Sequence, residues 1–136
     1  MRILLDTNVV LDLLLDRAEF ADHAQAIFSE VEGGAHTGLL CATTITTVHY
    51  LSSKSSGKAA ARRHMGWLLR LFEIAPVNRA VLEAATHSPI ADFEDAVLCE
   101  AALHAQASAV ITRNARDFRR ASLPVFTPKE WLATDR

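Results

Sequence analysis

The stretch "RILLDTNVVLDLLLDR", Arg2–Arg17, decides the fold because its pattern changes once, at Asp6. "RILL" is a short, continuous apolar run, the pattern of a strand covered on both faces, and it ends on an acid. From Asn8 the stretch takes up helical spacing, with Asn8 a candidate N-cap. A covered strand running straight into a helix opens an α/β arrangement, and the rest of the chain repeats the alternation.

"FADHAQAIFSEVEG" predicts a second helix in which Ala21, Ala24, Ile27, Phe28 and Val31 share one side and Gly33-Gly34 end the run. "HTGLLCA" predicts a second strand. "TTITTVHYLSSK" reads two ways. Its threonines and Val48 favour strand by propensity, whereas Thr43 or Thr44 capping a helix would turn Ile45, Val48 and Leu51 inward. "SSGKAAARRHMGWLLRLF" favours a helix beginning near Ser55 or Ser56, "EIAPV" a third strand, and "NRAVLEAATH" a short helix capped by Asn78. The alanine-rich run from Asp92 to about Ala107 holds neither Gly nor Pro and predicts a long helix. "SAVIT" predicts a fourth strand, "RNARDF" a loop, "LPVFT" allows a fifth strand, and "PKEWL" closes with proline in a helix's first turn.

A chain of 136 residues, half of them hydrophobic, suits one domain, 1–136, with a buried core. The formal charge of −2 excludes a strongly basic nucleic-acid binder and an acidic sponge. Basic residues nevertheless cluster, as four arginines in "RNARDFRR" and as Lys54, Lys58, Arg62, Arg63 and Arg70. Such clusters are solvated faces by default and can steer a phosphate backbone. Cys41 and Cys99 lie far apart with no CxxC partner, which predicts two buried thiols rather than a disulfide. Asp6 and Asp12 interrupt the N-terminal apolar run, no small-residue cleavage site follows, and no run approaches the roughly 20 apolar residues of a membrane helix. A soluble, cytoplasmic protein is expected.

Ligands of an open parallel sheet gather beyond the carboxyl ends of its strands. Asp6 follows the first strand, Asn114 and Asp117 follow "SAVIT", and Asp92 and Asp95 open the helix before it. Each acid has a structural explanation. Asp6 can cap the first helix, Asp92 can cap the long one with Asp95 at N3, and Asp117 can pair with neighbouring arginines. Glu94 is turned away from Asp92 and Asp95 by the helical period. A divalent cation explains the acids jointly, because clustered carboxylates repel unless neutralised, and Mg²⁺ or Mn²⁺ takes oxygen ligands. The six histidines show no zinc spacing, and no Walker loop, GxGxxG or GxSxG occurs.

"ILLDTNVVLDLL", "DFEDAVLCEAA" and "VITRNARDF", in this order and spacing, resemble the PIN-domain family, in particular the small bacterial VapC-type and PilT-type proteins. The resemblance covers essentially the whole chain. It implies a three-layer α/β sandwich with a mainly parallel central sheet of four to five strands, and a Mg²⁺- or Mn²⁺-dependent ribonuclease. By position Asp6 is the first metal ligand, Asp95 the central one, Asn114 stands where many members have a further acid, and Asp117 is the last. Thr7 and Asn8 belong to the same signature as supports of Asp6. Many members carry a glutamate in the helix after the second strand. Here His49 stands at about that position, and no acid occurs between Glu32 and Glu73. Asp92 is the candidate substitute, and His49 is either a packing residue or a ligand.

The expected function is a metal-dependent endoribonuclease, the toxin of a toxin–antitoxin pair. Asp6, Asp92, Asp95 and Asp117 would be catalytic, Asn114 would assist, and Arg113, Arg116, Arg119 and Arg120 would contact single-stranded or loop RNA. The resemblance further implies a homodimer and a cognate antitoxin. The alternative is a PIN-like module that binds RNA or protein without cutting. "MGWLLRLF" offers an apolar face of Trp67, Leu68, Leu71 and Phe72, open to either a dimer contact or core packing.

Overall fold

The computed structural model describes residues 1–134. "RILL" forms the central strand, β1 (Arg2–Leu5), and is covered on both sides as its continuous apolar run requires. It is flanked by β2 (Thr37–Cys41) and β4 (Ala109–Ile111), with β3 (Glu73–Ala75) and β5 (Val125–Phe126) outside them. The order β3-β2-β1-β4-β5 is parallel throughout. The chain therefore winds outward through β2 and β3, then returns across β1 to continue through β4. That reversal opens a crevice at the carboxyl ends of β1 and β4.

Seven helices complete three layers among the described residues. Ile3, Leu5 and Leu40 face α1 (Thr7–Leu14), α2 (Ala21–Glu32), α3 (Ala42–Ser56), α4 (Lys58–Leu71) and α7 (Pro128–Ala133). Leu4, Leu39 and Val110 face α5 (Arg79–Thr86) and α6 (Phe93–His104). The period of two in the strands sends alternate residues to the two layers, which is why both cores draw on β1. The predicted inner side of α2 is buried as a set, and Val31 meets Gly38 of β2. A Cβ at Gly38 would stand 2.6 Å from the Phe72 ring and 2.9 Å from Val31, so only glycine allows this approach.

The ambiguous threonine-rich segment is helical. Thr46 and Thr47 return their hydroxyls to the Thr43 carbonyl at 3.0 and 3.1 Å, satisfying within the helix the groups that otherwise favour strand. α3 continues to Ser56 and turns at Gly57, whose φ of +89° suits glycine. The serines therefore end α3 rather than starting α4. The cap of α1 is Asp6, not Asn8. The long helix is shorter than expected, with Asp92 as its cap and Ala105 beyond its end. The apolar face of "MGWLLRLF" lies in the core: Leu68 and Phe72 are buried, Leu71 packs beside them, and Trp67 stacks on Phe28 at 5.5 Å. Core packing therefore accounts for that face. Cys41 and Cys99 are free and buried. Among the described residues, no helix is long and apolar enough to cross a membrane.

Candidate functional site

Asp6 leaves β1 with its N–H still bonded to the Ile111 carbonyl of β4, at 2.9 Å. Its side chain is only 8% exposed and lies behind the lining of the cleft formed by the other acids, close enough for its charge to act on Asp95. One oxygen accepts from the Thr7 N–H at 2.7 Å, and the other from the Thr112 hydroxyl at 2.7 Å and the Asn8 amide at 3.2 Å. Burial raises the Asp6 pKa above its ordinary value, and the bonds from Thr112 and Thr7 oppose that rise without cancelling it.

The supports of Asp6 lock three elements together. Asn8 accepts the Arg113 N–H at 3.2 Å, tying α1 to the turn after β4. Thr7 and Thr44 share a hydroxyl–hydroxyl bond of 2.9 Å, bringing the first turn of α3 to the site. Thr112 and Thr44 are both buried; sequence weighed Thr44 only as a helix cap, a place that Cys41 takes, and did not single out Thr112. The signal for Thr112 was its place in "VITRN", one residue past the strand that ends in the crevice.

α6 brings the second group of acids. Asp92 caps the helix by accepting the Asp95 N–H at 3.0 Å, so the capping role expected for it is real. The half-buried Asp95 carboxyl is pushed up to about 7, first by burial and then by the negative charges of Asp92, Asp6, Asp117 and Glu94. Five carboxyl groups from both ends of the chain thus share one electrostatic neighbourhood. Glu94 is exposed, as its turn of the helix dictates, yet its charge reaches both Asp6 and Asp95.

Asp92, Asp95 and Asp117 line a cleft of about 520 Å³ together with Arg116, Arg119 and Arg120. Asp117 sits on a 3₁₀ turn (Ala115–Phe118) and forms no ion pair with these arginines among the described residues. Asn114 is exposed at the head of that turn, its N–H bonded to Thr112 at 3.1 Å and its carbonyl accepting from the Asp117 N–H at 2.9 Å. Arg113 does not join the cleft. Its Nε donates to the Asp12 carboxylate at 2.6 Å, and its guanidinium lies 4.1 Å from the centre of the Phe20 ring. Asp12, 1% exposed, also accepts from Arg17 at 3.2 Å. His49 is half-buried midway along α3 and does not line the cleft.

Among the described residues, no three His, Cys, Asp or Glu side chains close on one point as a finished metal shell. The chemistry of the donors nonetheless suits a hard divalent ion. Mg²⁺ keeps several waters and needs few direct carboxylate ligands, and Mn²⁺ also suits carboxylate and water. A cation here would relieve the repulsion that adds to burial in raising Asp95.

A family model described as the PIN domain matches residues 2–116. No curated protein matches the sequence. Solved structures share the fold. A chain of VapBC2 from Rickettsia felis, bound to a DNA fragment from its promoter, is 17% identical, with a TM-score of 0.71 over 92% of this chain and 97% of its own. A chain of FitAcB from Neisseria gonorrhoeae is 24% identical, with a TM-score of 0.68 over 93% of this chain and 98% of its own. A toxin–antitoxin complex from Klebsiella pneumoniae gives 22% identity and a TM-score of 0.68 over 93% and 97%.

Proposed function

Because this chain belongs to the PIN-domain family, we propose that it is a metal-dependent endoribonuclease and the toxin of a toxin–antitoxin pair. The observation that carries the nuclease reading is the gathering of four other carboxylates around the half-buried Asp95, whose pKa is held near neutrality first by burial and then by their charges. Such an arrangement is costly without a cation and useful with one. The toxin reading is supported by the toxin–antitoxin complex from Klebsiella pneumoniae that shares the fold.

Asp6, Asp95 and Asp117 would hold Mg²⁺ or Mn²⁺, with Asp92 and Asn114 assisting. When bound, the ion would supply a water of lowered pKa and polarise the phosphodiester. The chain's own contribution is positioning. Thr112, Asn8 and the Thr7 N–H fix both oxygens of Asp6, so that carboxylate needs no reorganisation on loading. Arg116, Arg119 and Arg120 supply cations on the cleft wall for the phosphates either side of the scissile one. Arg113, held by Asp12 and Phe20, braces the turn rather than touching RNA. A cognate antitoxin, a homodimer and a cytoplasmic location belong to the same proposal.

The position of His49, outside the cleft, favours one rival: a module that binds RNA without cutting it. Purified protein incubated with labelled single-stranded RNA separates the two. Cleavage is expected with Mn²⁺, none with EDTA, and a loss of at least 100-fold in Asp6→Asn and Asp95→Asn. Cleavage that persists in EDTA or in both variants removes the metal mechanism. RNA binding with no cleavage in any metal leaves the binding module.

A further inference from the structure

The segment between Glu32 and Glu73 holds five of the chain's 14 Lys and Arg and none of its 16 acids, which leaves nine cations against all 16 acids elsewhere. All five, Lys54, Lys58, Arg62, Arg63 and Arg70, lie on the α3–α4 hairpin and are exposed. None forms an ion pair among the described residues. The hairpin is rigidly built. Ser52, fully buried on α3, bonds the His64 ring of α4 at 2.7 Å, which fixes the register of the two helices. With those two residues as facing positions, Lys54 stands near the level of Arg62, close to the turn at Gly57.

Tyr50 is the second observation. It is 60% exposed, whereas Ile45, Val48 and Leu51 of the same helix pack into the core. Lys54, one turn on, places its ammonium 5.2 Å from the ring centre and 3.4 Å from the hydroxyl. An exposed ring beside an unpaired cation is the local chemistry of a base-stacking platform with a phosphate contact. The hairpin also starts at the right place. Thr44, bonded to Thr7 beside Asp6, lies in the first turn of α3. Tyr50 is six residues further, about 9 Å along the axis at 1.5 Å per residue, and Lys54 about 15 Å.

We propose that the α3–α4 hairpin is a binding arm for single-stranded RNA, in which Tyr50 stacks a base and Lys54, Lys58 and Arg62 track the backbone phosphates leading away from the carboxylate cleft. The proposal rests on the nuclease reading for its polymer and goes beyond it in assigning the surface. A second copy of the chain is a poor occupant, since two such faces would repel. An acidic protein segment would satisfy the cations but give the Tyr50 ring no base to stack on. RNA uses both.

The test is fluorescence anisotropy of a labelled single-stranded RNA of about 20 nucleotides with the full chain, in EDTA and across a range of KCl concentrations. Without metal nothing is cut, so the measurement stands apart from whether the chain is a nuclease. The triple variant Lys54→Ala, Lys58→Ala, Arg62→Ala is expected to bind at least 10-fold more weakly. Its salt slope should be shallower by about 2, the value for three lost phosphate contacts on a single strand. Tyr50→Ala should weaken binding about 10-fold, and Tyr50→Phe, which keeps the stacking face, should restore it. All these side chains are exposed, and unchanged circular dichroism melts confirm the fold. An unchanged affinity and slope in the triple variant overturns the proposal. So does a labelled polyglutamate peptide that binds as tightly as RNA and ignores Tyr50→Ala, which would assign the arm to an acidic protein partner.

Discussion

Asp95 is an acid that the fold holds in its protonated form up to about pH 7. Unfolded, the same carboxyl has its ordinary value of 3.8. Below that value it is protonated in both states, and its contribution to stability is fully present. As pH rises from 3.8 towards 7 the unfolded chain ionises freely while the folded one resists, so stability is lost across that window and levels off above it. Asp6, also raised, adds with the same sign. The metal-free protein should therefore melt lower at pH 8 than at pH 5. Asp95→Asn should melt above the parent at pH 8 by a few °C, roughly the effect of 1 kcal/mol once screening by solvent at this half-exposed site is allowed for. A parent Tm that rises between pH 5 and pH 8 contradicts this electrostatic picture. Asp6, Asp92 and Asp95 stood out in sequence because an acid directly after an apolar run, or at the head of an alanine-rich one, marks a helix cap or a site, and Asp6 and Asp92 are indeed caps. Thr112 was not. A threonine hydroxyl carries no pattern of its own, and its partner Asp6 is 106 residues away.

At the scale of elements, α1 and the turn after β4 are clamped by one buried charge. Asp12 belongs to α1, whereas Arg113 belongs to the turn that carries Thr112 and Asn114. In sequence Asp12 only interrupted an apolar run; its partners are five and 101 residues away, and spacing along the chain says nothing of the longer pairing. Removing the charge strands two arginines, 38% and 25% exposed, against a carboxyl site that can no longer answer them. Asp12→Asn is expected to cost about 3 kcal/mol by urea unfolding and to lower RNA cleavage with it, because the turn that orients Asp6 loosens. The double variant Asp12→Asn, Arg113→Met should recover part of that loss. A cost below about 0.5 kcal/mol would mean that Asp12 is an ordinary surface-type pair despite its burial. The α3 segment shows a different limit. Strand propensity of its threonines was outweighed by back-bonding to Thr43 and by the inward line of Val48 and Ser52, which only tertiary packing selects.

Across the whole molecule, the alternation of strands and helices was enough for the α/β class. The strand order was beyond it, since alternation does not say whether the first and fourth strands are neighbours. They are, and their pairing from Ile3 with Ala109 to Leu5 with Ile111 delivers Asp6 and Thr112 to one point. The same arrangement brings Asp92, Asp95 and Asp117 to one cleft, whereas the α3–α4 hairpin carries no acid. Metal and proton then compete for the same carboxyls, and the competition has a measurable sign. At pH 8 the acids are ionised and repel, so an added cation binds the folded chain and raises its stability by RT ln(1 + [L]/Kd), about 2.7 kcal/mol at 100 times Kd. At pH 5 a proton already occupies Asp95 and less is gained. Millimolar Mn²⁺ should accordingly raise Tm more at pH 8 than at pH 5, and Asp6→Asn or Asp95→Asn should remove most of the difference. Equal shifts at the two pH values, or equal shifts in parent and variants, would place the ion somewhere other than the carboxylate cleft.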